Sequence, residues 1–160
     1  MSEKKTTNEE IIAAAKEIMQ NNIVATLCTC VGNETHANNI YFAYNNDLEI
    51  VFVSDKDTKH AENIEKNGKV SIVVYNEPEG YGSNHQGVQI HGICTQASGL
   101  NLVECWHLYT KRFPVYATMI KNVDQIANKL VKSRIFTVKV TSLKILDVPT
   151  FGKEFHVVEF

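Results

Sequence analysis

Proline is scarce in this chain, with three in 160 residues, and tryptophan occurs once. With only eight glycines as well, the composition excludes collagen-like and Pro/Gly-rich low-complexity architectures. No apolar run approaches the roughly 20 residues that a membrane span needs. The N-terminal MSEKKTTNEE is polar and does not read as a secretory signal. Basic excess is missing too: Lys+Arg number 16 against Asp+Glu 18. That balance argues against a dedicated partner for nucleic acid or an anionic membrane, and the cytoplasm is the default location. There is no GxGxxG and no P-loop, so a phosphate-cradling parallel sheet is not indicated. The cysteines are few, Cys28, Cys30, Cys94 and Cys105. Without a secretory signal they read as reduced thiols rather than a disulfide framework.

What is present is ordinary globular material, 44% hydrophobic and 21% charged, enough for one domain over residues 1–160 with residues 1–7 expected to be flexible. Thr7-Asn8-Glu9-Glu10 fits a capping box, and Ile11, Ile12, Ala15, Ile18 and Met19 continue it as one apolar helical stripe. Strands follow at Ile23–Cys30, Ala37–Tyr44 and Leu48–Ser54, joined by short Gly/Asn-rich turns that imply antiparallel neighbours. A helix is expected over Thr58–Lys66, with Gly68 in a left-handed position after it. Val70–Tyr75 reads as a buried strand. Residues 87–97 form a long one, in which Gly92 marks a bulge. Helical periodicity returns over residues 99–113 and 123–131, broken at Pro114. Alternation from Arg134 to Val140 marks another strand, and the tail adds a last short one. The fold class is therefore mainly β with α: an antiparallel sheet of six to seven strands, curled into a barrel with flanking helices.

The stretch SDKDTKHAENIEKNGKV, residues 54–70, sets a problem. A helix N-terminus is electropositive and disfavours cations, yet Lys56, Lys59 and His60 cluster there. An anion docked on the free backbone N–H groups, the Thr58 hydroxyl and these cations would explain the placement. Solvated side chains paired with Asp55, Asp57 and Glu62 would explain it too, and spacing alone leaves both readings open.

Three strands in succession, then Thr58, Lys59, His60, Asn63, Ile64 and Asn67, then the strand at Val70, resemble the pyridoxamine-phosphate-oxidase-like FMN-binding split barrels. GVQIHG (87–92), YTKRFPV (109–115) and FGKEF (151–155) are similar to segments of the YhbP-like branch. The resemblance implies FMN, its phosphate against Thr58, Lys59 and His60 and its ring along the backbone of Phe52, Val53 and Ser54. It places Asn38 and Asn39 beside the cofactor and Gln89 at the ring edge or ribityl chain. It implies a homodimer whose second subunit completes the site, with Lys111, Arg112 and Lys153 near that interface. The activity implied is an oxidoreductase reaction on a small organic substrate with NAD(P)H as donor; haem or deazaflavin are the alternative cofactors. One departure matters: ANNIYFAY (37–44) carries none of the basic residues with which true pyridoxamine-phosphate oxidases hold the phosphate. Phosphate binding then rests on fewer charges, and pyridoxamine-phosphate oxidation itself is not indicated.

Other constellations are weaker. Cys28 and Cys30 share a strand face, and His36, Cys94, Cys105 or His107 could join them around zinc, but the spacing fits no usual pattern and small buried apolar roles are the ordinary ones. His91, His107 and His156 are lone histidines, surface or satisfied, with axial haem ligation as the minor alternative.

Overall fold

The computed structural model describes residues 6–76, 84–118 and 133–160. Helix α1 (Asn8–Asn21) starts on its capping box: Thr7 Oγ1 accepts the Glu10 N–H at 3.2 Å, and the Glu10 carboxylate accepts the Thr7 N–H at 3.0 Å. Strands β1 (Val24–Val31) and β2 (Glu34–Tyr44) form a hairpin closed by the two-residue loop Gly32-Asn33. Gly32 supplies the positive φ of 58° that such a loop requires. Because the loop is this tight, β2 begins three residues before the expected Ala37.

Strand β3 (Ile50–Asp55) begins later than expected. The Asn45 side-chain carbonyl accepts the N–H groups of Asp47 at 3.0 Å and Glu49 at 2.9 Å, which extends the turn. Leu48 lies inside it at φ 64°, its side chain anchored in the core. The chain continues through α2 (Lys59–Lys66), β4 (Lys69–Asn76), β5 (Gln86–Gln96), α3 (Gly99–Arg112), α4 (Pro114–Thr118), β6 (Ser133–Asp147), α5 (Val148–Phe151) and β7 (Phe155–Glu159). The helix expected over 123–131 lies outside the described residues.

The seven strands form one antiparallel sheet in the order β3-β2-β1-β4-β5-β6-β7. Pairing of β3 with β6 closes six of them into a ring, with β7 as an appendage. The long β6 makes closure possible: its first half pairs β3 and its second half pairs β7, while β5 lies along both. The bulge is at His91/Gly92. A Cβ at Gly92 would stand 2.6 Å from both the Lys139 carbonyl oxygen and Val138 Cγ1, so only glycine lets β5 and β6 approach there.

Alternation sorts the side chains. Leu27, Phe42, Ile50, Phe52, Ile72, Val74, Val88, Ile90, Val138, Leu143 and Ile145 fill the interior, and α1 seals it with Ile11, Ala15, Ile18 and Met19. A smaller cluster lies outside the ring, where Cys105 and Tyr109 of α3 cover Ala43, Val51 and Ile135.

Candidate functional site

The ring is incomplete on one side. The β2–β3 ladder runs only from Phe42↔Phe52 to Tyr44↔Ile50. Beyond it, β2 residues 34–41 pair only with β1, and β3 residues 53–55 pair only with β6. The two strands part into a split, and α2 begins at its mouth.

Helix α2 starts at Thr58, whose backbone is extended and whose Oγ1 accepts the Ala61 N–H at 3.4 Å. The Thr58 carbonyl accepts the Glu62 N–H at 3.0 Å. Among the described residues the N–H groups of Lys59 and His60 meet no acceptor, so the first turn keeps two donors to offer. The helix is fixed from below by two asparagines: Asn63 Nδ2 donates to Thr29 Oγ1 at 3.0 Å, and Asn67 Nδ2 to the Cys30 carbonyl at 2.8 Å. Gly68 is not left-handed, as the sequence suggested. It is needed for close approach, since a Cβ there would lie 2.7 Å from the Cys94 carbonyl oxygen.

The three motif residues diverge. Thr58 caps the helix. Lys59 is exposed and forms an ion pair at 3.8 Å with Glu34 on β2, across the split. His60 corrects the expectation of a cation. It is 7% exposed, turned inward, with Nε2 2.5 Å from Ser54 Oγ and 3.2 Å from Thr58 Oγ1. Burial, and secondarily the imidazole of His36, hold His60 below the ordinary histidine range. The His36 and His60 rings lie 8° from parallel with centroids 6.3 Å apart.

Phe52 is fully buried between Phe136 at 5.2 Å and His60 at 6.4 Å, and its backbone is paired with both β2 and β6. Val53 leans outward against the α3 cluster, and Ser54 faces inward to His60. Asn38 shares the inner face of β2 with His36 and Phe42. Its Oδ1 is buried and accepts no hydrogen bond, which leaves an acceptor in the split without a partner. Asn39 lies on the opposite face, where its Oδ1 accepts from Thr26 Oγ1 at 3.1 Å.

The remaining site residues are not brought to this place. Gln89 is on the outer face of β5, between Val73 and Lys144, and lines a cavity of about 190 Å³ with Tyr75 and Phe155. Lys111 and Lys153 are exposed. Arg112 is committed elsewhere: its guanidinium donates to the carbonyls of Met19 at 2.6 Å and Asn22 at 2.7 Å and stacks over Phe42 at 4.7 Å. It caps the C-terminus of α1, which has no basic residue in its own last turn.

No group of three or more His, Cys, Asp or Glu among the described residues is arranged to hold a metal ion. Burial pushes the Cys94 thiol up to about 12. Burial, with Glu49 and Glu104 nearby, pushes Cys105 up to about 11, so neither offers a thiolate at neutral pH. His91 is bonded through Nδ1 to Ser71 Oγ at 2.8 Å, and His156 packs on Phe151. One contributor escaped the sequence motif, His36, which the period-two pattern ending in the buried Phe42 would have placed on the inner face beside Asn38.

A sequence model described as pyridoxamine 5'-phosphate oxidase matches residues 11–146. The chain belongs to this family. The architecture described above, a seven-stranded antiparallel sheet with six strands in a ring, is the family's split barrel. No curated protein matches the sequence at a significant level. Similar solved structures include a haem-binding protein from Mycobacterium smegmatis, with TM-score 0.72, 14% identity, and coverage of 91% of this chain and 56% of that one. An FAD-binding protein from Mesorhizobium loti gives TM-score 0.64 at 15% identity, covering 82% and 89%. A Clostridium acetobutylicum protein related to a Bacillus subtilis general stress protein, of the pyridoxinephosphate oxidase family, gives 0.67 at 9%, covering 96% and 97%. The chain thus spans little more than half the length of the M. smegmatis protein. At these identities the likeness is one of fold. No helix among the described residues is long and apolar enough to cross a membrane.

Proposed function

We propose that this family member is an FMN-binding flavoprotein of the YhbP-like branch, acting in the cytoplasm as an oxidoreductase on a small organic substrate with NAD(P)H as donor. The observation that carries the reading is the interrupted β2–β3 ladder. It leaves the β3 backbone at 53–55 unpaired on its β2 side, beside a helix start with two free N–H donors. The residues fit the group. Lys59 offers a cation, and the first turn capped by Thr58 offers its N–H groups, for the phosphate. The orphaned Asn38 Oδ1 and the β3 backbone offer an acceptor and donors for a ring edge that carries both kinds of group.

When bound, the isoalloxazine would supply the electron transfer. The chain would orient it and keep water from one face. Phosphate would be held by few permanent charges, because β2 has no lysine or arginine and Arg112 donates to α1 carbonyls. A second copy of the chain completes the site in this reading. Support comes from the outer face of the sheet, where Gln89 sits among exposed apolar side chains and far from its own chain's α2.

The test is spectroscopic. Purified protein, or protein titrated with FMN, should show bound-flavin absorption, and Lys59→Ala should weaken binding by on the order of 1.5–3 kcal/mol. An intact Lys59→Ala fold with unchanged FMN affinity would remove Lys59 from the site, and a Soret band in place of flavin bands would give the split to haem. Reduction of the bound flavin by NAD(P)H without oxygen separates an enzyme from a carrier.

A further inference from the structure

We propose that His36 of β2 and His60 of α2 together form a paired-imidazole receptor for a phosphate monoester, which takes up a proton as the ester binds. The inference rests on the FMN reading above and adds to it a residue, His36, that no motif assigns.

The geometry is specific. The two rings come from different elements and face each other nearly parallel across the split, at the place where Lys59 and Glu34 also meet. His60 is held there by Ser54 and Thr58; the Thr58 hydroxyl donates to the Asp55 carbonyl at 2.8 Å, while the Ser54 hydroxyl can rotate to donate to a neutral imidazole or accept from a protonated one. The arrangement therefore accommodates both charge states without moving the ring.

What it lacks is a counter-charge. The groups facing His60 are His36 from β2, Ser54 and Phe52 from β3, and Thr58 from its own helix start. The nearby carboxylates are otherwise engaged: Glu34 with Lys59, and Asp55 as acceptor of the Ser133 hydroxyl at 2.7 Å. Among the described residues no anion lies between the two imidazoles, and burial holds His60 toward its neutral form. A phosphate monoester, dianionic above its second pKa of about 6, supplies the missing charge and stabilises the imidazolium form. Proton uptake and phosphate docking are then one linked event. A lysine or arginine in so buried a place would be charged without a partner whenever the site is empty.

The experiment is calorimetry of FMN and of riboflavin, which lacks the phosphate, in buffers of different ionisation heat between pH 7.0 and 8.5. FMN should bind with uptake of up to about one proton, and its affinity should fall with rising pH by at most about tenfold per unit. Riboflavin should bind with no uptake. His36→Gln, confirmed folded by its thermal transition, should reduce the uptake and flatten the slope while FMN still binds. By NMR of the free protein, the same substitution should raise the titration midpoint of His60. FMN binding without proton uptake, or with uptake unchanged in His36→Gln, overturns the paired receptor and leaves the flavin reading standing. Failure of FMN to bind at all overturns both.

Discussion

At the scale of the residue, His60 is where two physical demands meet. An anion at a helix start favours a cation, whereas burial against Phe52 and beside a second imidazole favours a neutral ring. The free protein shows the second demand winning, and this has a consequence for stability. A histidine whose folded pKa lies below its unfolded value near 6.5 binds more protons when unfolded. Its stabilising contribution is fully present above about pH 6.5 and is lost as pH falls through the folded value. The ligand-free protein should therefore lose thermal stability on acidification below pH 6.5, and His60→Gln should flatten that loss. A wild-type and a variant with the same pH profile would show that other groups govern it. Arg112 makes the opposite case, a charge that looks available and is not. Arg112→Ala should destabilise the fold by on the order of 1.5–3 kcal/mol through the lost charge-assisted bonds to α1 carbonyls. Arg112→Lys should recover only part, because an ammonium cannot reproduce the planar fork over Phe42. FMN affinity should not change in either; a specific loss of binding at unchanged stability would return Arg112 to the site.

At the scale of the element, α2 depends on its asparagines. Both belong to the pattern that marked the family in the sequence, and both tie the helix to β1 rather than touch the mouth of the split. Asn63 is 2% exposed, so Asn63→Ala leaves the Thr29 hydroxyl buried without its donor, a cost of about 1–3 kcal/mol. It should also weaken FMN binding, since the first turn loses its fixed height over the split. Denaturant unfolding and flavin titration of one variant check the two effects together; full FMN affinity in a destabilised Asn63→Ala would separate docking from binding. Much at this scale was legible in the sequence. Capping boxes, turns and alternation located α1, the β1–β2 hairpin, α2 and the Gly92 bulge, because each is decided by neighbours within a few residues. Gly68 was misread, because its constraint is the Cys94 carbonyl more than twenty positions away. The partners of Arg112 were hidden for the same reason: the carbonyls it satisfies lie about ninety residues earlier in the chain. The site was legible as a motif and illegible as an arrangement. Spacing names Thr58, Lys59 and His60, but only the tertiary fold decides that one caps, one faces solvent and one turns inward.

At the scale of the whole molecule, the outer face of the sheet poses the remaining question. Cross-strand register aligns Tyr75, Gly87, Leu146 and Phe155 in one row, and Val73, Gln89, Lys144 and Val157 in the next. Tyr75, Phe155 and Val157 are each more than half exposed, at 51%, 54% and 53%. Apolar surface of this kind, with Gln89 at its middle and Lys144 laid 4.2 Å over the Phe155 ring, fits a protein contact better than solvent. If the occupant is a second copy, Gln89 is carried away from its own α2 and can be delivered to the partner's split, which makes cofactor binding depend on assembly. Sedimentation should then find a dimer of 18.0 kDa chains. Phe155→Glu should shift it to monomer at micromolar concentration with secondary structure unchanged, because an exposed side chain contributes little to the monomer's own core. FMN affinity should fall with the dimer, and Gln89→Ala should weaken FMN binding while the dimer persists. A monomeric wild type, or a Phe155→Glu protein that remains dimeric with full FMN affinity, would mean that this face serves some other contact and that the split binds its ligand unaided.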